Sequence, residues 1–170
     1  MTEGALVVGY GNPLRTDDGV GWHVAERLFH MASRADDPRL EGVAVLPRHQ
    51  LTPELALDIS AASRVVLVDA RHDLVAGTFT VARVERAEGS ETTWSHHLGP
   101  PSLIALADEL YGRVPDVFLV SCGVHSLEIG DRLSPEVEAA VPRVVDAVAE
   151  LVALCAEEPV ADLVSERGDA

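Results

Sequence analysis

The sequence has little of what several functional classes require. Aromatic residues make up 4% of its 170 positions, so the core must be built from aliphatic side chains. Basic residues are scarce: 13 Lys and Arg stand against 28 Asp and Glu, a formal net charge of −15. Nucleic acid is therefore not an expected partner, because its recognition needs a basic face. The two cysteines, Cys122 and Cys155, have no paired spacing, which argues against a disulfide framework or a Cys-x-x-Cys site and suits a reducing, cytoplasmic setting. No stretch reaches the roughly eighteen apolar residues of a membrane span, and the first residues lack a basic segment followed by an apolar run, so neither membrane insertion nor export is expected. His-Glu-x-x-His is absent, which removes the zincin proteases, and so is the Gly-x-Ser-x-Gly nucleophile elbow. Internal repeats and low-complexity segments are lacking too.

What the chain does have is an alternation of short apolar runs and amphipathic stretches. Leu6-Val7-Val8 followed by Gly9-Tyr10-Gly11-Asn12-Pro13 reads as a strand with a sharp stop. Val20, Val24, Leu28 and Met31 then recur at helical spacing, predicting a helix to about Ser33. Residues 41–46 predict a second strand ended by Pro47. Thr52-Pro53-Glu54 predicts a helix start with Thr as N-cap. Residues 65–69 form a β-branched run ending in Asp69, residues 75–84 an edge strand, and residues 117–120 the last core strand. Helices are predicted from Pro100 to Gly112 and from Ser134 onward, the latter with Pro142 as a potential kink. Strands apolar on both faces suit a sheet covered on both sides. The expected fold is a three-layer α/β/α domain over residues 1–155, with a twisted, mostly parallel five-stranded sheet and helices on both faces. An acidic, flexible tail is expected over residues 156–170.

In such a sheet the loops after the carboxyl ends of the strands gather along one edge, where ligands bind. Asp17 and Asp18 follow the first strand, His49 the second, Asp69 ends the third, and Cys122 and His125 follow the last. His96 and His97 precede a helix. Each has a plain alternative: Asp17 and Asp18 as helix-start carboxylates, Asp69 as a strand-end hydrogen bonder, the histidines as polar loop residues, Cys122 as a small core residue. His23 and His30 fall on the first helix, packed or solvated. The opening turn is an incomplete dinucleotide fingerprint, since Leu14 stands where the third glycine belongs and the two aspartates would repel a pyrophosphate. A Cys122–His125 pair is conceivable as a nucleophile and base. Asp18, Asp69 and His96 together offer two carboxylates and an imidazole, a donor set compatible with nickel, zinc or iron.

Gly9-Tyr10-Gly11-Asn12-Pro13-Leu14-Arg15-Thr16-Asp17-Asp18-Gly19-Val20-Gly21 closely resembles the opening motif of the [NiFe]-hydrogenase maturation endopeptidases. Val66-Leu67-Val68-Asp69-Ala70, Ser95-His96-His97-Leu98-Gly99, and Ser126-Leu127-Glu128 with Leu133-Ser134-Pro135 match further landmarks of that family in order, so the resemblance spans roughly residues 5–155. It implies an endopeptidase that removes the C-terminal extension of a hydrogenase large-subunit precursor after nickel insertion. It further implies that Asp18, Asp69 and His96 form the nickel-recognition site; within that trio, general acid–base chemistry leaves Asp18 or Asp69 as the expected catalytic base. The nickel would be the substrate's own, so the free protein need not hold it firmly, and the enzyme is expected to act as a monomer. Asn12, His49, Gln50 and His97 are expected to contact substrate. Arg48-His49-Gln50-Leu51-Thr52-Pro53-Glu54 replaces the Asp-Gly-Gly-Thr-like turn of many relatives, and Val124-His125 replaces a Pro-Glu; both bear on which hydrogenase is processed. A non-catalytic metal-binding or assembly factor on the same fold is the alternative from another class.

Overall fold

The apolar runs become the strands of a single five-stranded sheet in the computed structural model, which describes residues 4–86 and 98–154. The strands are β1 (Leu6–Tyr10), β2 (Ala44–Arg48), β3 (Arg64–Arg71), β4 (Phe79–Arg83) and β5 (Asp116–Gly123). The helices are α1 (Val20–Arg34), α2 (Leu55–Ala61), α3 (Pro100–Tyr111) and α4 (Pro135–Ala153). Spatial order is β2-β1-β3-β5-β4, with β1 parallel to β2 and β3, β3 parallel to β5, and only β4 antiparallel, on the outside of the sheet. This is the expected mostly parallel α/β architecture.

Side-chain alternation along each strand divides the core in two. Val7, Val66, Val68, Phe118 and Val120 face α1 and α4, meeting Val24, Leu28, Val144 and Val148. Leu6, Val8, Tyr10, Val65, Leu67 and Val117 face α2 and α3, meeting Leu55, Ile59, Leu103 and Ala107. Asp69 follows Val65 and Leu67 in that alternation, so it belongs to the same face as Tyr10.

Three boundaries differ from the sequence expectation. Pro47 does not end the second strand but lies inside it, opposite Gly9, because an edge strand can place a residue without an N–H on its open side. Thr52 does not cap α2. Residues 52–57 form a tight turn in which the N–H groups of Leu55, Ala56 and Leu57 donate to carbonyls three residues back, while the Thr52 hydroxyl engages the Glu54 carboxylate. The third strand runs two residues past Asp69, paired with β5 as far as Arg71–Gly123, whereas its pairing with β1 stops at Gly9–Val68. Asp69 is thus interior to its strand, at the level where its other neighbour has already turned away. Pro142 sits inside α4, which continues through it.

Where α1 starts it presses hard on the sheet. A Cβ on Gly21 would fall 2.3 Å from the Val68 carbonyl oxygen and 2.5 Å from that of Tyr10. This close helix–strand approach is the service a third fingerprint glycine would give, performed here seven positions after Leu14. Gly21→Ala should therefore cost about 1–3 kcal/mol of stability and shift both strand ends, read as a lower denaturant midpoint.

Candidate functional site

The chain leaves β1 to form β2 on one side and returns to form β3 on the other, so the gap between the carboxyl ends of β1 and β3 is the switch point of the sheet. One step beyond the last β1–β3 pair, Gly9–Val68, stand Tyr10 and Asp69. The loop following Tyr10 carries Asp18 to this point. Gly11 makes the turn possible, with φ +139° and a hypothetical Cβ only 1.9 Å from the Asp18 carbonyl oxygen, a geometry open to glycine alone. The loop then closes on itself. Arg15 N–H donates to the Asn12 carbonyl (3.0 Å), Asp18 N–H to that of Arg15 (3.0 Å), and Asn12 N–H to Asp18 Oδ2 (2.9 Å). Asn12 Oδ1 accepts from Leu14 N–H (2.9 Å), so within this loop Asn12 fixes the Asp18 carboxylate.

Asp17 has the opposite fate from its neighbour. It is fully buried and does not cap its own helix. Its Oδ2 accepts from His125 N–H (2.9 Å), Ser126 N–H (3.0 Å) and Ser134 Oγ (2.8 Å), and its Oδ1 from Ser134 N–H (2.7 Å). Burial works to raise its pKa, but the bonds from Ser134, Ser126 and His125 outweigh that and hold the carboxyl below its ordinary range. Ser134 is the N-cap of α4, so Asp17 anchors the segment between β5 and α4 against the opening loop. Arg15 Nε donates to Leu127 O (3.2 Å) and Thr16 Oγ1 to Glu128 O (2.6 Å), tightening the same junction.

Asp69 faces a different environment. Burial pushes its carboxyl up to about 6, and the Asp18 charge adds to the rise, while Tyr10, the Ala70 N–H (2.7 Å from Oδ1) and His72 act the other way. The Tyr10 hydroxyl is buried beside Asp69 and influences it electrostatically, without completing a well-aligned hydrogen bond. Burial first, and then the Asp69 charge, raise the phenol well above its ordinary value. Asp18 and Asp69 are therefore brought together at the switch point, one on a hydrogen-bonded loop and one on a strand with a buried phenol behind it. Nothing in the residue pattern marked Tyr10 or His72. The available signal was position, since Tyr10 ends β1 where Asp69 ends the run of β3.

The other candidates distribute unevenly. His49 and Gln50 are exposed and directly follow Arg48, whose carbonyl accepts the Gly11 N–H (3.1 Å), so they border the opening loop. His96 and His97 lie outside the described residues. The chain resumes at Leu98, which packs on the face carrying Tyr10 and Asp69. α3 ends near the start of β5, where Arg113 Nη2 donates to Ala62 O just before β3 (3.5 Å), so its first turn at Pro100 points to the opposite edge, that of Asp69. Among the described residues no group of three or more His, Cys, Asp or Glu side chains could hold a metal ion, and the two carboxylates need a further donor to do so. Cys122 is not a nucleophile: it is buried within β5, where burial and the nearby Asp69 push its thiol up to about 12, and His125 is exposed on the loop beyond. His23 is half-buried on α1, edge-on to Trp22, and desolvation lowers its pKa; His30 stands exposed beside Glu26. No helix among the described residues is long and apolar enough to cross a membrane.

Comparison with known proteins places the chain and its fold among relatives. The family model "HycI: Hydrogenase maturation protease" matches residues 32–151, a span containing Asp69 and starting beyond Asp18. Among solved structures, the [NiFe] hydrogenase maturation protease HycI of Thermococcus kodakarensis is 25% identical, with a TM-score of 0.68 over 88% of this chain and 92% of that one. The hydrogenase 2 maturation peptidase of Thaumarchaeota archaeon SCGC_AB-539-E09 is 27% identical, with a TM-score of 0.64 over 90% of this chain and 100% of that one. The hydrogenase maturating endopeptidase HybD of E. coli, 24% identical over 85% and 89% of the two chains, shares the fold with a TM-score of 0.67. No curated protein sequence matches the chain.

Proposed function

Because this chain belongs to the hydrogenase maturation protease family, we propose that it removes the C-terminal extension of a [NiFe]-hydrogenase large-subunit precursor once nickel has been inserted. In this reading Asp18, Asp69 and His96 recognise the nickel of the substrate. The observation that carries it is the meeting of Asp18 and Asp69 at the switch point, close enough for the charge of Asp18 to raise Asp69. Two carboxylates so placed would repel each other at rest and gain from a cation between them. The precursor's nickel supplies that charge and polarises the scissile carbonyl. In the nickel-free protein burial raises the Asp69 carboxyl to about 6; the substrate's nickel would favour its ionised form, and Asp18 or Asp69 serves as the base that takes a proton from an attacking water. Asn12 keeps Asp18 aimed, and exposed His49 and Gln50 border the loop as contacts for the precursor chain. The buried free thiol of Cys122 suits a reducing compartment, and we place the reaction in the cytoplasm, with the enzyme acting as a monomer.

Asp18→Ala tests this reading. With nickel-loaded precursor, followed by the mass of the large subunit, the variant should cleave about 10²–10⁴-fold more slowly than the wild type. Its folding should be little changed, since Asp18 makes one loop hydrogen bond. Unchanged cleavage would remove Asp18 from the site, and an uncut precursor with wild-type protein that still binds it would favour an assembly factor.

A further inference from the structure

Two large apolar side chains stand in solvent beside the Asp18 loop. Leu14 is 63% exposed and Ile129 is 93% exposed, and neither belongs to either core. They come from segments distant in the chain that are joined backbone to backbone. Gly130 N–H donates to Leu14 O (3.0 Å), Thr16 N–H donates to Gly130 O (2.9 Å), and Arg15 and Gly130 form an isolated parallel bridge. Thr16, between them, has φ +46°, a conformation disfavoured for a β-branched residue, and these bonds hold it there. Leu14 is also fixed relative to the site, because Asn12 accepts the Leu14 N–H with its side chain while its own N–H holds Asp18. The loops are thus held in a form that keeps both side chains out of the core and next to a candidate catalytic carboxylate.

We propose that Leu14 and Ile129 form the apolar contact that receives the precursor segment bordering the scissile bond, and that they set which precursor is bound tightly. This rests on the proposed function and extends it. The occupant is the precursor rather than a second copy of this chain for two reasons. A net charge of −15 on each copy opposes self-association, and two side chains are far too small an area for a stable dimer. As one corner of a larger enzyme–substrate contact centred on Asp18 and Asp69, they need only add to it. Neither side chain carries a group that reacts, so an apolar contact made equally in the ground and transition states should appear in KM.

The test is steady-state cleavage of nickel-loaded precursor by the double variant Leu14→Ser with Ile129→Ser, beside a control pair at the other end of the molecule, Leu110→Ser with Tyr111→Ser, which are also exposed apolar residues. The site variant should raise KM about 10- to 100-fold and leave kcat within about twofold, with an unchanged melting curve; the control should leave KM unchanged. Cleavage by the wild type with equal KM in the site variant would overturn the inference while leaving the proposed function standing. A fall in kcat alone, or concentration-dependent dimerisation of the wild type abolished in the variant, would also overturn it. Failure of the wild type to cleave any nickel-loaded precursor would overturn the proposed function first and the inference with it.

Discussion

Asp69→Asn is expected to abolish cleavage of the precursor and, at the same time, to raise the melting temperature of the protein at neutral pH. The loss of cleavage, about 10²–10⁴-fold or more, follows from removing a base and a nickel-facing carboxylate together. The gain in stability follows from the sign of the pKa change. A carboxyl whose folded pKa is about 6, against an ordinary 3.8, binds its proton more tightly in the folded state. Its favourable contribution is fully present below the unfolded value and is lost as pH rises through about 6, so at neutral pH the folded protein carries an ionised, poorly solvated group. The full difference corresponds to about 3 kcal/mol, and the neutral amide, which can still accept the Ala70 N–H, should recover about 1–3 kcal/mol of it. For a chain of this size that is a shift of roughly 2–10 °C. Melting curves at pH 7.5 and pH 4.5 check it: the variant should lie above the wild type at the higher pH and approach it at the lower. A variant less stable at both would mean that Asp69 is a structural residue.

Asp17→Ala should do the reverse and unfold the protein more readily than any other single change near the site. The buried carboxylate accepts four hydrogen bonds, three of them from backbone N–H groups that the methyl group leaves without an acceptor. Breaking an interior charged network in this way costs about 3–5 kcal/mol. The pH dependence is again fixed by sign. The folded pKa of Asp17 is depressed, so its contribution is present above the unfolded value near 3.8 and disappears as pH falls through the lower folded value. Urea unfolding at pH 7 should show the loss, and acid unfolding of the wild type below about pH 4 should contain a component absent from the variant. Cleavage should fall as well, since the opening loop loses its anchor to residues 125–134, but conservative Asp17→Asn, which keeps one acceptor oxygen, should recover part of both.

Asp17 and Asp18 show how far the sequence could be read. Adjacent aspartates at a helix start admit two roles, and their order in the motif does not say which side chain turns inward. The partners of Asp17 are more than a hundred residues away in the chain, so no local pattern could reveal that it anchors a remote loop rather than its own helix. The layered, mostly parallel architecture was within reach because runs apolar on both faces demand cover on both sides, and β4 could be read as an edge from its looser alternation. Pro47 misled because proline normally stops a strand, and only its edge position makes it tolerable. Thr52 misled because a short turn competes with the cap for the same backbone groups. Tyr10 escaped notice for a different reason. A tyrosine ending a strand looks like core, and its importance depends on Asp69 standing beside it one step beyond the last β1–β3 pair, which is a property of the sheet and not of either strand.

We propose that this protein reads nickel already seated in its substrate and then cuts the chain. The most direct measurement is the mass of a large-subunit precursor incubated with the wild-type protein, once loaded with nickel and once without it. The account predicts a shortened large subunit in the loaded sample and an intact one in the other. Equal shortening of both, or an intact loaded precursor with each hydrogenase large subunit offered, would contradict it.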